Sequence, residues 1–273
     1  MHVASLAVYP VKGCRGIDLE RVEILRRGPR SDRRFMVLGK EDTFLTQRTH
    51  PRLALVGTRL HEGTLELFVE GRSVTVPLAF DGPGRSVRVW DDDVSGIVSG
   101  FAEADAFFSA WLGEKCTLVA MPEDAERPVE APYGAADDRV SFADGYPVLL
   151  ATNASLHALN EALVASGAAA VPMNRFRPNI VVEGGTPWAE DLFDRVRIGS
   201  MTFRMPKRCA RCAVTTVDQA TGAVGKEPLK TLATLRCENN KVYFAQNLIP
   251  DLVPGAPSFI AVGDEVVYHR SDA

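Results

Sequence analysis

The feature that most constrains the fold is the close spacing of short β-type segments in the first half of the chain. Six segments rich in β-branched and aromatic residues lie between residues 3 and 78, and many of them alternate polar and apolar positions. Turn residues such as Gly13, Gly63 and Gly71 separate them. Short strands at this spacing are typical of a β-barrel or a β-sandwich.

Helical patterns are fewer. Residues 104–115 place apolar side chains on one face, and residues 227–235 predict a short helix. A third helix is predicted at 153–167, with Asn153 or Ser155 as its N-cap and Gly167 at its end. The other segments of the second half predict strands, among them residues 146–152, 177–184, 196–205, 212–218, 241–249 and 259–270. We therefore expect an α+β fold that is mostly β.

One segment divides the chain. Residues 122–138 are rich in proline, alanine and acidic side chains, which is typical of a linker or a long loop. We predict a β-barrel-like domain at residues 1–120, a linker at 121–138, and a second β-barrel domain with a few helices at 139–273.

Charge, hydropathy and cysteine content exclude several classes of function. The chain has 31 basic and 35 acidic residues, so its net charge of −4 disfavours nucleic-acid binding. Its longest apolar runs are far shorter than the roughly 20 residues of a membrane helix. The first residues do not resemble a signal peptide. Five cysteines, an odd number, favour reduced thiols, and we expect a cytoplasmic protein.

The sharpest local motif is the pair Cys209-Ala-Arg-Cys212. Its spacing alone fits half of a zinc site, a thioredoxin-like redox pair, or two small side chains at a strand edge. The chain has no second C-x-x-C pair, which disfavours zinc. A redox pair would open a helix, whereas residues 212–218 predict a strand.

The charges around this pair point to a more specific role. Lys207, Arg208 and Arg211 surround the two thiols. Cationic neighbours favour a thiolate, which is the form that ligates a soft metal.

Other segments carry groups that bind anions. Arg175 and Arg177 lie near a strand start, where two guanidinium groups can hold a phosphate or a carboxylate. Residues 152–155 lie where a strand meets a helix, and free N–H groups there also bind anions. Each feature has an ordinary alternative, namely a solvated strand edge or a plain helix cap. Arginines fill five of the nine positions 26–34, and a solvated loop is the usual fate of such a run.

Together these segments resemble the molybdenum cofactor sulfurase C-terminal (MOSC) domain family. The resemblance is greatest to two-domain proteins that join a MOSC N-terminal β-barrel domain to a MOSC domain, as in the mitochondrial amidoxime reducing components and their bacterial relatives. The matching segments occur in the family's order and cover nearly the whole chain: YPVKGCRG (9–16), DRRFMV (32–37), FLTQRTHPRLALV (44–56), TNASLHALN (152–160), RFRPNIVVEG (175–184), RCARCAVTTVDQATG (208–222) and KEPLKTLATLR (226–236).

The resemblance implies a molybdenum cofactor, that is, molybdenum held by a pyranopterin dithiolene. By position, Cys212 is the implied metal ligand and catalytic residue, and Cys209 is a neighbour. Asp218 is our candidate for proton handling at the metal. Gly13 stands where many relatives have serine, so a hydroxyl donor is lost but the backbone N–H remains. The residues implied to bind the cofactor or to assist are Lys12, Gly13, Arg33, Asn153, Ser155, Arg175, Arg177, Asn179 and Arg211.

The implied function is an oxidoreductase that reduces small N-hydroxylated compounds such as amidoximes and N-hydroxy bases. The chain lacks the cysteine spacing of a plant-type [2Fe–2S] domain, so we expect electrons from a separate ferredoxin-, flavin- or cytochrome-type protein. The main alternative is a carrier that holds the molybdenum cofactor, or sulfur as a persulfide on Cys212. A redox-inert binding module is a third hypothesis.

The resemblance also makes a spatial prediction. Because the implied ligands come from both halves of the chain, the cofactor should lie in a cleft between them. Lys12 and Arg33 should then lie near Cys212.

Overall fold

The computed structural model describes residues 1–82, 84–256 and 258–270, and β-strands dominate it. It confirms the expected α+β, mostly β class. The α-helices are α1 (Ala102–Leu112), α2 (Asn153–Ala165) and α3 (Leu229–Arg236). The strands are β1 (His2–Val8), β2 (Ile17–Leu19), β3 (Arg21–Leu25), β4 (Gly28–Pro29), β5 (Phe35–Leu38), β6 (Gly57–His61), β7 (Thr64–Val69), β8 (Arg72–Pro77), β9 (Gly84–Val89), β10 (Asp92–Val98), β11 (Thr117–Ala120), β12 (Val148–Thr152), β13 (Ile180–Glu183), β14 (Arg195–Ile198), β15 (Met201–Arg211), β16 (Cys237–Glu238), β17 (Lys241–Asp251), β18 (Phe259–Ala261) and β19 (Val266–His269).

The largest sheet has nine strands and combines the two ends of the chain. Its order is β19-β14-β15-β17-β12-β13-β1-β2, and β16 pairs with β17 at the side. Strand β1 is antiparallel to β13, whereas β12 and β13 are parallel. The first strand of the chain is therefore built into the sheet of the second half. The domain division at residues 121–138 stays a prediction, and this strand pairing crosses it.

None of the sheets in the part of the chain that the structure describes closes on itself, so the barrel-type sheets are open. The ends of the nine-stranded sheet do approach each other, and the N–H of Val266 donates to the carbonyl of Met1 at 2.9 Å. The described ends also share an isolated bridge between His2 and Glu265 and two backbone bonds of Val3, to Asp264 at 2.9 Å and from Gly263 at 2.8 Å. Strand β2 pairs with the other end of β1, from Leu6 to Val8, so no full ladder can close the barrel.

Three smaller sheets complete the molecule. Their orders are β5-β11-β10-β9, β6-β7-β8 and β18-β3-β4. Helix α1 buries Phe108 and Trp111 in a core that includes Phe35 and Leu118. No described helix is long and apolar enough to cross a membrane.

Strands β9, β10 and β11 have no counterpart in the sequence prediction. In β9 and β10, charged, serine and glycine residues interrupt the few buried apolar side chains, so the alternation is weak. These strands matter for the site, because the hairpin of β9 and β10 carries Trp90 at its tip.

Candidate functional site

One cleft brings together chemistry-bearing residues from both halves of the chain. It encloses a cavity of about 150 Å³ that opens to solvent. Lys12 and Arg33 line the same cleft as Cys212, as the sequence predicts. The cleft is lined by the cations Lys12, Arg33, Arg48, Arg177 and Arg211, the carboxylate Asp144 and the thiols Cys209 and Cys212.

Cys212 lies where β15 ends and a 3-10 helix, Ala213–Thr216, begins. The predicted strand at 212–218 is therefore wrong. The carbonyl of Cys212 accepts hydrogen bonds from both the N–H and the hydroxyl of Thr215, at 3.2 and 3.1 Å. Local bonds of this kind compete with a sheet ladder. The resulting turn leaves Cys212 half-buried in the cleft wall.

Arg211 precedes Cys212 in the chain and hydrogen-bonds the other thiol of the pair, Cys209. Its Nη1 donates to Sγ of Cys209 at 3.0 Å, and its Nη2 donates to the carbonyl of Phe176 at 2.7 Å. Its Nε is buried and has no partner among the described residues. The pairing of β15 with β17 is irregular between Arg208 and Ala210, and such a bulge redirects the side chains that follow it.

Arg177 and Arg33 enclose the ring of Tyr9. Their guanidinium carbons lie 4.3 and 4.6 Å from the ring centre. The Tyr9 hydroxyl donates to the carbonyl of Pro178, and burial raises the pKa of Tyr9 to about 12. Burial lowers the pKa of Arg177 to about 10, and its Nη2 has no partner in the described part of the chain. This stack presents two cations to the cleft.

Asp32 and Asn179 hold Arg33 in place. Nη1 of Arg33 donates to Asp32 Oδ2 at 2.6 Å and to Asn179 Oδ1 at 3.2 Å. Asp32 Oδ1 accepts from the N–H of Tyr9 and from Nδ2 of Asn179, at 2.8 and 3.0 Å. Asn179 thus lines the cleft and also orients a cation. The sequence contains a signal for Asp32, which is a single carboxylate among arginines, but the family resemblance assigns a role only to Arg33 in this segment.

Lys12 and Asp144 form another part of the cleft wall. The buried Nζ of Lys12 donates to the carbonyl of Phe142 at 2.8 Å and to Asp144 Oδ1 at 2.5 Å. Burial lowers the pKa of Lys12. Enclosure in the cleft works to raise the pKa of Asp144, but Lys12 and Arg33 hold it well below its usual range. Asp144 still opens to solvent inside the cleft, and no sequence motif singles it out.

Gly13 also lines the cleft, and contacts with Leu53 and Gln47 hold it in place. Its φ is +86°, a conformation that favours glycine, and a Cβ there would lie 3.1 Å from Leu53. Its carbonyl accepts a hydrogen bond from Nε2 of Gln47 at 2.7 Å. The amides of Gln47 and Gln219 bond each other in turn, at 3.0 and 2.9 Å. This pair joins the Gly13 loop to the segment that follows Cys212.

The structure does not place Asn153 and Ser155 among the residues that line this cleft. Asn153 donates to Glu183 at 2.7 Å. Ser155 is buried and donates to Glu190 Oε1 at 2.6 Å. The N-cap of α2 is Thr152, whose hydroxyl accepts from the N–H of Ser155, so the prediction of Asn153 or Ser155 as the cap is wrong.

Arg175 and Asp218 likewise lie outside the residues that line the cleft. They bond each other at 2.8 Å, and Arg175 also reaches the carbonyl of Thr215. Asp218 Oδ1 accepts from the N–H and the hydroxyl of Thr221. Slight burial opposes the shift, but the bonds from Thr221 lower the pKa of Asp218. The pair braces the turn after Cys212, while buried Phe176 separates Arg175 from Arg177.

Glu190 predicts a pH dependence of stability. Burial raises the pKa of Glu190 in the folded protein, although the Ser155 hydroxyl opposes the shift. Its contribution to stability is therefore present below about pH 4 and is lost as the pH rises through the folded pKa. We expect Glu190→Gln, measured by urea unfolding, to be more stable relative to wild type at pH 8 than at pH 4.

The control is Glu62→Gln, which alters an exposed glutamate in the turn between β6 and β7. It should change stability little at either pH. A difference between Glu190→Gln and wild type that is equal at pH 4 and pH 8 would contradict the prediction.

The site suits a group that brings its own metal ligands. Within residues 1–82, 84–256 and 258–270, no three His, Cys, Asp or Glu side chains cluster as ligands for a metal ion. A metal on Cys212 would thus need donors from a bound cofactor. Arg177 and Arg211 line the same cleft, and each has a buried N–H group without a partner among the described residues, which fits an anionic cofactor. The residues present are compatible with a molybdenum dithiolene that carries a phosphate.

The fold and the cleft define a protein with a cationic, thiol-bearing cleft between the two halves of its chain. Comparison with known families gives the same organisation. Residues 1–115 match the MOSC N-terminal beta barrel domain, and residues 137–267 match the MOSC domain. The chain belongs to the family of two-domain MOSC proteins that includes the mitochondrial amidoxime-reducing components.

Individual relatives are similar over most of this chain. Mitochondrial amidoxime-reducing component 1 of Homo sapiens is 33% identical, over 97% of this chain and 82% of its own length. Mitochondrial amidoxime reducing component 2 of Bos taurus is 29% identical, over 94% and 82%. The molybdenum cofactor sulfurase of Aspergillus niger is 29% identical, over 90% of this chain but 38% of its own length.

Proposed function

We propose that this protein is an oxidoreductase that binds the molybdenum cofactor and reduces N-hydroxylated compounds such as amidoximes and N-hydroxy bases. The observation that carries the proposal is the half-buried thiol of Cys212 in one cleft with unpartnered, buried N–H groups of Arg177 and Arg211. The family and the names of the amidoxime-reducing relatives support the substrate class.

Each residue of the cleft has a proposed task toward the cofactor. Cys212 Sγ would ligate the molybdenum, because a thiolate suits a soft, redox-active metal. Lys12, Arg33, Arg177 and Arg211 would hold the anionic parts, and the guanidinium groups can do so bidentately. When bound, the cofactor supplies the two-electron redox chemistry that N–O cleavage requires.

The overall reaction requires that electrons and protons reach the cleft as well as the substrate. An amidoxime takes up two electrons and two protons and becomes an amidine and water. We propose that a separate ferredoxin-, flavin- or cytochrome-type protein supplies the electrons. We also propose a cytoplasmic location, and the five free thiols support a reducing compartment.

The first prediction from this function is direct. Protein purified from a host that makes molybdenum cofactor should contain close to one molybdenum per chain and should reduce benzamidoxime to benzamidine with reduced methyl viologen as electron donor. Metal analysis and chromatography of the product test both parts. Protein from a host that cannot make the cofactor is the control. Fully loaded protein that forms no benzamidine would overturn the reductase proposal.

The sulfurase relatives favour a second candidate, a carrier of molybdenum cofactor or of sulfur. In the sulfur carrier, Cys212 would hold a persulfide, and Arg211 beside it would stabilise the anionic sulfur. Mass spectrometry of the protein after exposure to a sulfur donor distinguishes the two. A persulfide on Cys212 without benzamidoxime reduction favours the carrier.

A further inference from the structure

A fixed aromatic surface lies just outside the cleft lining and contacts two of the residues that form it, Asp144 and Arg48. Trp90 lies at the tip of the β9–β10 hairpin with φ +58°, and it is 36% exposed. Its Nε1 donates to Asp144 Oδ1 at 3.3 Å. Phe44 packs against it edge to face, with ring centres 4.9 Å apart. The indole is therefore held in one orientation beside the carboxylate of the cleft.

A planar cation already lies on this surface. The guanidinium carbon of Arg48 is 4.4 Å from the centre of the Trp90 ring. Arg48 is exposed, and in the described part of the chain its guanidinium has this stacking contact but no ion pair or hydrogen bond. An arginine with so few partners can leave the indole at little cost. The Trp90 ring can thus accept a flat, delocalised cation stacked on its face.

Asp144 gives the same place a hydrogen-bond acceptor. Among the described residues that line the cleft, it is the one carboxylate beside five cations. Lys12 and Trp90 both bond its Oδ1, which leaves Oδ2 without a partner among the described residues. Oδ2 is open to donors in the cleft, since the side chain is 72% exposed.

We propose that Trp90 and Asp144 form the recognition site for the planar amidine end of the substrate, and that Arg48 covers it when no substrate is bound. This inference rests on the proposed function and names the residues that would recognise the substrate. The flat N–C–N group would stack on the indole, and its N–H and O–H groups would donate to Asp144 Oδ2.

The same geometry favours the reaction as it proceeds. An amidoxime is weakly basic, whereas the amidine product is a strong base and becomes a planar cation like guanidinium. The amidine nitrogen takes up one further proton from solvent, so positive charge develops beside Asp144 as the product forms. Interactions that strengthen in this way lower the barrier rather than only bind the substrate.

Binding of benzamidinium chloride, measured by calorimetry, tests the site without any turnover. Trp90→Asn removes the stacking surface and keeps the turn, because asparagine adopts positive φ readily. We expect benzamidinium to bind this variant about 2- to 30-fold more weakly than wild type, the range of a cation–π contact. Arg48→Ala should bind it more tightly, because the indole is uncovered and a like charge is removed.

Two comparisons make the test specific. Arg21→Ala removes another exposed arginine that stacks on a ring, 4.1 Å from the centre of Phe259 and outside the cleft, and should bind benzamidinium as wild type does. Asp144→Asn should weaken the binding of benzamidinium more than that of benzamide, its neutral isostere.

Kinetics on cofactor-loaded protein give the second measurement. Per bound molybdenum, Trp90→Asn should lower kcat/KM for benzamidoxime and Arg48→Ala should raise it. Turnover of benzamidoxime with the same kcat/KM and the same benzamidinium affinity in all variants would overturn this inference and leave the proposed function standing. Benzamidinium binding that depends on Trp90 and Asp144 in a loaded protein that reduces no amidoxime would support the recognition site and overturn the reductase.

Discussion

Replacing Cys212 with alanine is expected to abolish benzamidoxime reduction and to remove or alter the bound molybdenum. The reason is that Cys212 is the cleft thiol implied as the metal ligand, and the protein offers no cluster of other ligands in its described part to replace it. Loss of a residue that only orients a metal ligand costs roughly 10- to 100-fold. Loss of the ligand itself should cost more than that. Molybdenum per chain, pterin fluorescence and activity are the measurements.

Two other cysteines serve as matched controls. Cys237 is exposed in β16 and lies outside the residues of the cleft, so Cys237→Ala should keep both metal and activity. Cys209 is in the cleft and bonds Arg211, so Cys209→Ala should keep the metal and change the activity modestly. Full activity and an unchanged metal spectrum in Cys212→Ala would contradict the assignment of the ligand.

Replacing Asp32 with asparagine is expected to cost about 3–5 kcal/mol of unfolding free energy, the usual effect of breaking a buried ion pair. The side chain of Asp32 is fully buried, and Arg33 beside it is nearly so. The carboxylate of Asp32 now accepts hydrogen bonds from N–H groups of Tyr9, Asn179 and Arg33. In asparagine one of the two oxygens becomes an N–H₂ group, which would face one or more of these donors. Urea unfolding measures the loss.

An exposed ion pair of the same kind provides the comparison. Arg30 and Glu23 are 2.5 Å apart near the surface, and Glu23→Gln should cost less than about 1 kcal/mol. If Asp32→Asn cost no more than Glu23→Gln, the Asp32 network would not be what joins β1 to the segment around Asn179.

The cleft shows what local sequence can and cannot predict. The predicted set includes Lys12, Arg33, Arg177 and Cys212, and the structure brings these four together. Their charge and thiol chemistry is visible in the residue types themselves. Asp144 is different, because it is a single acid in a loop, and its position depends on long-range bonds, including those from buried Arg127 to the neighbouring carbonyls.

The secondary-structure errors have a similar origin. Residues 212–218 are rich in β-branched side chains and predict a strand, but the hydroxyls of Thr215 and Thr216 bond the carbonyls just before them and close a 3-10 turn. The open sheet could not be predicted either, because closure depends on which strand pairs with the edge of β1. Alternation within a strand carries no information about its partner.

The position of β1 has a consequence for how the protein is made. Residues 2–8 leave the ribosome long before β13, at residues 180–183, with which they pair in the sheet. Until residues 180–183 emerge, β1 has no neighbouring strand on that side. Synthesis from the N-terminus therefore cannot complete the first half before the second begins. Contacts this distant in sequence slow folding, so the nascent chain exposes a strand edge for most of its translation.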